Sequence, residues 1–288
     1  MHLWNLYLGI TRLCTLECEH CLRGNRRNEY MSLETIDNAF KDVKEIDTLL
    51  LTGGEPLLAI KQIKEILKQI KKNNVKVHRT FIITNCTFLN EEIIEILKEF
   101  SDISELELAL SYDVFHYVEL KRLNLLEKRI NNARILKEIF GAYDYASFED
   151  KTRKKRNIIK AGRAESLTEE RLKEFSDISE KDYILADYRI LDRPFAPYYE
   201  EETGLVYDKV YVDVNGNVTD IELSFDEEDN EVDKYISNIN EIGLLESILN
   251  YRIYSLETHN ANIEEYKKVY DKFMQHIKSQ NNSYEKTK

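Results

Sequence analysis

Cysteine, proline and glycine are all scarce in this chain of 288 residues, at 4, 3 and 9 copies. Four cysteines are too few for a secreted scaffold stapled by disulfides. No charged-then-apolar signal segment precedes the first of them, so a reducing, cytoplasmic setting is expected. The shortage of proline and glycine argues against a modular protein strung on linkers. Apolar runs of the eighteen or so residues that read as a membrane span are also missing. Positive charge is in deficit, with 41 Lys and Arg against 53 Asp and Glu and a net charge of −12. That balance disfavours a long phosphate track, and with it nucleic acid as a partner. One basic run at residues 151–156 reads as a solvated loop or helix end. What remains is a length suited to one α/β domain with a modest appendage.

Against that scarcity, three of the four cysteines fall together as Cys14-Thr-Leu-Glu-Cys18-Glu-His-Cys21. Three thiolates so close in sequence can turn onto one metal centre. Iron–sulfur clusters are usually held by four cysteines. A three-cysteine set leaves one iron of a four-iron cluster open to another ligand. Structural zinc also uses clustered Cys and His, and His20 or the distant Cys86 could complete such a site. Spacing alone leaves both metals open, and purely structural cysteines as well.

The first half of the chain alternates strand and helix signals. Residues 3–12 are apolar and strand-like, and Ser32 is a natural N-cap for the helix that follows. A short apolar run at 48–51 stops at Gly53-Gly54. Ile60, Ile63, Leu67 and Ile70 then line one helix face. Residues 76–84 read as strand, 90–100 as helix, 106–110 as strand and 120–140 as one long helix. Four β/α units in succession call for a parallel sheet with right-handed crossovers, whose chemistry sits at the carboxyl ends of the strands. The cysteine loop, Gly53-Gly54, Thr84-Asn85 and Ser111-Tyr-Asp113 all lie at such ends. Further on, residues 168–175 read as helix. Residues 208–214 form a half-buried strand that Asn215-Gly216 turns into a second strand at 218–223.

Cys14-x3-Cys18-x2-Cys21 followed by Gly53-Gly-Glu-Pro56 resembles the radical S-adenosylmethionine (SAM) superfamily. The resemblance implies an α/β fold: a partial (β/α)6 TIM-like barrel with a small C-terminal α+β extension. It also implies a [4Fe–4S] cluster on Cys14, Cys18 and Cys21, with SAM chelating the open iron. In that chemistry a reduced cluster cleaves SAM to a 5′-deoxyadenosyl radical, which takes a hydrogen atom from substrate. Gly53 and Gly54 would let the backbone approach SAM, Glu55 would accept hydrogen bonds from the methionyl ammonium, and Pro56 would stiffen the turn. His20 stands where family members often carry a ring near the adenine; a metal ligand or plain packing are its other readings. Thr84 and Asn85 resemble the pair that ends the family's third strand near the methionyl moiety. Ser111 and Asp113 resemble the Ser-x-Asp at the ribose or carboxylate. Arg163, in Gly162-Arg-Ala164, would pair with the SAM carboxylate or be a surface arginine. The reductant implied is of flavodoxin or ferredoxin type.

The resemblance extends to a SPASM/Twitch-like C-terminal region of peptide-modifying members, through residues 210–217 and 237–240. There the hairpin normally leads to cysteines of an auxiliary cluster; here Thr219-Asp-Ile221-Glu-Leu follows, with no cysteine after Cys86. The division implied is 1–165 for the first part of the barrel, 166–255 for its remainder and the cysteine-free extension, and 256–288 for a helix and polar tail. Without auxiliary clusters, redox-neutral outcomes such as epimerisation or rearrangement gain over two-electron oxidation. Epimerisation needs a hydrogen donor, and Cys86 is the available thiol, unless it is a small buried apolar residue. Tyr112, Phe115, His116 and Tyr117, and further on Tyr198-Tyr199 and the acidic residues 226–230, could contact substrate or serve as core and solvated surface. The substrate expected is a peptide or protein, with a sugar, nucleoside or amino acid as the alternative. A zinc- or cluster-binding protein without turnover is a third reading.

Overall fold

Segments rich in Leu, Ile and Val become the strands of a parallel sheet, buried most continuously at residues 48–52, which are all buried. β1 (His2–Gly9), β2 (Glu45–Thr52), β3 (Lys76–Thr84), β4 (Glu105–Ser111) and β5 (Tyr143–Tyr145) lie side by side in chain order, each parallel to the next. Between them run α1 (Leu33–Phe40), α2 (Ile60–Lys72), α3 (Glu91–Ile103), α4 (Val114–Arg122) and α5 (Leu126–Phe140). The computed structural model describes residues 1–145, 149–150, 155–159, 162–176, 187–191, 210–219 and 237–248. The expectations placed on Tyr198-Tyr199, the strand beyond residue 219, the acidic residues 226–230 and the tail 256–288 lie outside the described residues.

Local chemistry sets the helix starts. Ser32 accepts the Thr35 amide, Asn90 that of Ile93 and Asp113 that of His116, each relieving an orphan donor of the first turn. The apolar part of the buried face of α2 is Ile63, Ile66, Leu67 and Ile70, flanked by buried Gln62 and Gln69, while Ile60 of the expected stripe is half-buried. The single helix expected over 120–140 is two. Asn124 adopts a left-handed backbone (φ 56°), and the Leu125 amide closes back on the Leu120 carbonyl at 2.8 Å, so α4 ends and α5 restarts.

The described remainder comprises β6 (Glu149–Asp150), β7 (Lys155–Ile159), α6 (Glu169–Ser176), β8 (Asp187–Leu191), β9 (Val210–Val212), β10 (Asn217–Thr219), β11 (Ser237–Asn238) and α7 (Ile239–Ile242). β6, β7 and β8 make a separate small sheet. β9 lies parallel to β1 on its free edge, and β10 and β11 extend that edge antiparallel. The sheet order is therefore β11-β10-β9-β1-β2-β3-β4-β5. The described part of the expected hairpin, β9 and β10, pairs antiparallel and continues the main sheet.

Two apolar clusters hold this together. The larger fills the space between sheet and helices, from Leu3, Leu6 and Leu8 to Phe100 and Leu136. The smaller joins Leu16 and Cys18 of the cysteine loop to Phe115 and Tyr117 of α4, to Ala164, and to Leu172 and Phe175. The cysteine loop is thus seated on its own core at the carboxyl rim of the sheet.

Candidate active site

The cysteine loop leaves β1 at Gly9 and is tied down at once. Thr11 donates its hydroxyl to the Glu29 carbonyl at 2.7 Å and accepts the Leu13 amide at 3.0 Å. Cys14, Cys18 and Cys21 are free thiols; Cys18 is buried and the other two are half-buried. The Leu16 amide points at the Cys14 sulfur (3.4 Å), as does the Asn85 side-chain amide (3.5 Å). Burial pushes the Cys14 thiol up to about 12 and Cys18 well above its ordinary value. Such thiols shed their protons when a metal cation takes the charge.

Gly53-Gly54-Glu55 runs alongside the entry to that loop. The Gly54 amide donates to the Thr11 carbonyl (2.7 Å) and the Glu55 amide to that of Leu13 (2.8 Å). A Cβ on Gly53, whose φ is 145°, would stand 2.4 Å from the Thr11 oxygen, and one on Gly54 2.3 Å from that of Leu13. The closest approach that requires glycine here is to the cysteine loop itself. Pro56 opens the short 3-10 turn Pro56–Leu58.

Glu55 is fully buried and bridges two strand ends. One carboxylate oxygen accepts the Leu57 amide (3.0 Å) and the Thr84 hydroxyl (2.7 Å); the other accepts the Asn85 amide (2.7 Å). Burial raises its carboxyl to about 7, while those three hydrogen bonds pull the other way. Asn85 continues the chain of contacts through Thr15 (3.1 Å) and the Thr87 hydroxyl (2.6 Å). Thr84, Asn85 and Glu55 therefore form one connected unit with Cys14.

Asp113 caps α4 and holds two imidazoles. Its Oδ1 accepts from the His116 amide (3.0 Å) and lies 2.8 Å from His116 Nδ1, while Oδ2 lies 3.2 Å from His20 Nε2. Burial raises this carboxyl, but His116 and His20 outweigh it and hold the group well below the usual carboxylate range. His20 also stacks on Phe115 at 4.5 Å. These three side chains place ligand atoms within 4.8 Å of one another, as do His2, Glu45 and Asp47. Neither group contains a motif cysteine, and hydrogen bonding accounts for the first. Ser111 ends β4, half-buried.

Arg163 lies on the far side of the loop, its amide on the Cys21 carbonyl (2.9 Å) and its Nε on that of Cys18 (3.1 Å). Cys86 belongs to the larger core, not to the smaller cluster that holds Cys18. It is fully buried with φ 63°, burial raises its thiol to about 12, and its carbonyl accepts from Asn132 (3.0 Å). Sequence spacing missed Arg23. Its guanidinium reaches the Tyr211 hydroxyl (2.6 Å) and the Thr52 hydroxyl (2.5 Å), joining the cysteine loop to β9 and to the end of β2. The cue was slight: a basic residue two positions after the last motif cysteine.

The family model described as the radical SAM superfamily matches residues 8–144. That stretch, just under half of the chain, carries the likeness to radical SAM domains. Two curated relatives align with parts of the chain. A protein of Aquifex aeolicus provisionally named L-lysine 2,3-aminomutase is 27% identical over 33% of this chain and 29% of its own length. A protein of Methanocaldococcus jannaschii provisionally named a glycyl-radical enzyme activating enzyme is 32% identical over 45% of this chain and 38% of its own. The chain thus spans well under half the length of these relatives. Among solved structures, anSMEcpe with S-adenosylmethionine bound superposes with a TM-score of 0.50 at 14% identity, covering 86% of this chain and 77% of that one. SuiB of Streptococcus suis bound to its precursor peptide SuiA gives 0.51 at 14%, covering 87% and 65%. These likenesses show a shared fold: an open, mostly parallel partial barrel.

The radical SAM family uses a [4Fe–4S] cluster and SAM, and the residues at the rim fit both. Burial keeps the Cys14 and Cys18 thiols protonated until a metal cation takes the charge, and Cys21 stands on the same loop to join them. Beside them a buried carboxylate, ringed by neutral donors, is suited to an amino group arriving from a ligand. No helix among the described residues is long and apolar enough to cross a membrane.

Proposed function

We propose that this protein is a radical SAM enzyme that modifies a peptide or protein substrate. The observation that carries the first part is the connected unit of Cys14, Asn85, Thr84 and Glu55 at the ends of three neighbouring strands. When bound, the cluster on Cys14, Cys18 and Cys21 and its SAM supply an electron and a carbon radical that removes hydrogen from the substrate. The chain's own residues bind and orient. Glu55 would accept hydrogen bonds from the methionyl amino group, with Thr84 and Asn85 fixing its carboxylate against rotation. Gly53 and Gly54 bring that strand end against the cysteine loop, and Pro56 holds the turn. Asp113 fixes the His20 ring, which would face the adenine, and Ser111 would face the ribose. The aromatic cluster beneath the loop buries Cys18 and leaves Cys14 and Cys21 half-buried at the rim.

The peptide substrate is supported by the reach of the fold likeness. It continues past residue 144 to cover 87% of the chain against a protein whose structure holds a precursor peptide. Within these residues the four cysteines are Cys14, Cys18, Cys21 and Cys86, so a multi-thiolate auxiliary cluster has no ligands. That favours a redox-neutral outcome such as epimerisation. A flavodoxin or ferredoxin is the reductant this reading calls for. The aminomutase-named relative favours the second reading, a small amino acid.

Anaerobic reconstitution with iron and sulfide, then SAM and dithionite, tests the reading by mass spectrometry of 5′-deoxyadenosine. Formation that depends on each motif cysteine is expected. A reconstituted protein that takes up four irons yet does not bind SAM would overturn it. Stimulation by short peptides rather than by free amino acids separates the two substrate readings.

A further inference from the structure

Arg163 stands beside the cysteine loop in a way that its expected role, a partner for the SAM carboxylate, does not require. Its backbone amide donates to the Cys21 carbonyl at 2.9 Å and its Nε to the Cys18 carbonyl at 3.1 Å. The Cys21 amide itself donates to the Cys18 carbonyl at 3.1 Å, so one turn of the loop is gripped at both oxygens. The residue before it makes the grip possible. Gly162 has φ +55°, and a Cβ there would stand 2.6 Å from the Gly24 amide nitrogen and 2.7 Å from the Leu22 carbonyl carbon. The residue after it, Ala164, is fully buried in the core shared with Leu16 and Cys18. Gly162-Arg163-Ala164 is thus a splint: backbone contact, side-chain grip and apolar anchor in three successive residues. The hydrogen bond from Nε to the Cys18 carbonyl fixes the guanidinium's charge beside the turn that carries Cys18 and Cys21.

We propose that Arg163 is a positioning residue for the cluster loop, and that its charge raises the reduction potential of the cluster held there. It would not be a ligand of the SAM carboxylate. The proposal rests on the cluster reading given above. The physics is that of any metal site: a fixed cation near thiolate ligands favours the more negative, reduced state, and hydrogen bonds behind the ligands orient them.

Redox titration of reconstituted wild type, Arg163→Gln and Arg163→Lys, followed by electron paramagnetic resonance, tests it. Removing the charge in Arg163→Gln is expected to lower the reduced-to-oxidised ratio at a fixed potential about tenfold, which is about 59 mV for a one-electron couple. Arg163→Lys, which keeps the charge, should stay near wild type, and SAM affinity should hold within about twofold in both variants. An unchanged potential with SAM affinity lost in Arg163→Gln would assign the residue to SAM and overturn the proposal. A wild-type protein that takes up no four-iron cluster would sink the underlying reading and the redox half with it. The loop grip is decided separately, by amide hydrogen exchange in the iron-free protein. Faster exchange over residues 18–22 in Arg163→Gln supports it, and unchanged exchange removes it.

Discussion

Glu55 concentrates the residue-scale argument, because its carboxyl is fully buried among neutral donors and titrates near 7 rather than 4.5. A folded-state value above the unfolded one means that the native protein holds the extra proton between those two values. Stability of the metal-free protein is therefore expected to fall as pH rises from about 4.5 to about 7, by at most about 3 kcal/mol, and then to level. Urea denaturation at a series of pH values reads this directly, and Glu55→Gln should flatten the slope. A slope that survives in the variant would assign it to another group. Cys86 gives the opposite case, a thiol with no exposed surface in the larger core. Cys86→Ala is expected to cost about 1 kcal/mol from the lost sulfur and to leave 5′-deoxyadenosine formation intact. If SAM cleavage persists but product from a peptide disappears, Cys86 is the hydrogen donor and must reach the site by a movement of the loop after β3.

At the scale of elements, Asn124 decides where one helix stops and the next begins. Its left-handed backbone (φ 56°) is one that glycine adopts without strain and alanine does not. Asn124→Ala should destabilise by about 1 kcal/mol and Asn124→Gly by much less, measured as shifts of the urea midpoint at constant slope. Equal costs for the two would show that the Asn side chain, not the backbone, makes the junction. This junction also marks the limit of what the sequence reveals. β2 and β3 were legible because their apolar runs stop at Gly53-Gly54 and Thr84-Asn85, which punctuate strands. The α4–α5 break was not, because Leu120, Leu123, Leu125 and Leu126 carry the apolar pattern straight across it. The three thiols were legible from their spacing. The hold of Asp113 on two imidazoles was half legible: His116 lies one turn along α4, but His20 comes from the other side of the sheet rim. Contacts such as that of Arg163 with Cys21 join residues more than a hundred positions apart, and no period in the chain announces them.

For the whole molecule, the informative feature is that the C-terminal hairpin closes onto the first strand. β9 pairs with β1 through Leu6, Tyr7 and Leu8 opposite Val210, Tyr211 and Val212. At the end of that pairing a Cβ on Gly9 would stand 2.3 Å from the Tyr211 hydroxyl and 3.1 Å from the ring carbon that bears it. The same hydroxyl accepts from Arg23 at 2.6 Å, so Gly9, Tyr211 and Arg23 are coupled across the strand pair and the cysteine loop. Gly9→Ala should push the tyrosine away, break its hold on Arg23 and cost about 1–3 kcal/mol. Tyr211→Phe, which removes the hydroxyl but keeps the ring, should cost about 1 kcal/mol. Together they should cost less than the sum, by about 1 kcal/mol, because the phenylalanine leaves room for the new methyl and the contact with Arg23 is lost only once. A double-mutant cycle of denaturation midpoints measures that coupling, and iron release to a chelator from the reconstituted protein follows it to the cysteine loop. Additive costs with unchanged iron release would mean that the hairpin merely extends the sheet. Coupling in both readouts would mean that the C-terminal region braces the loop that carries the thiols.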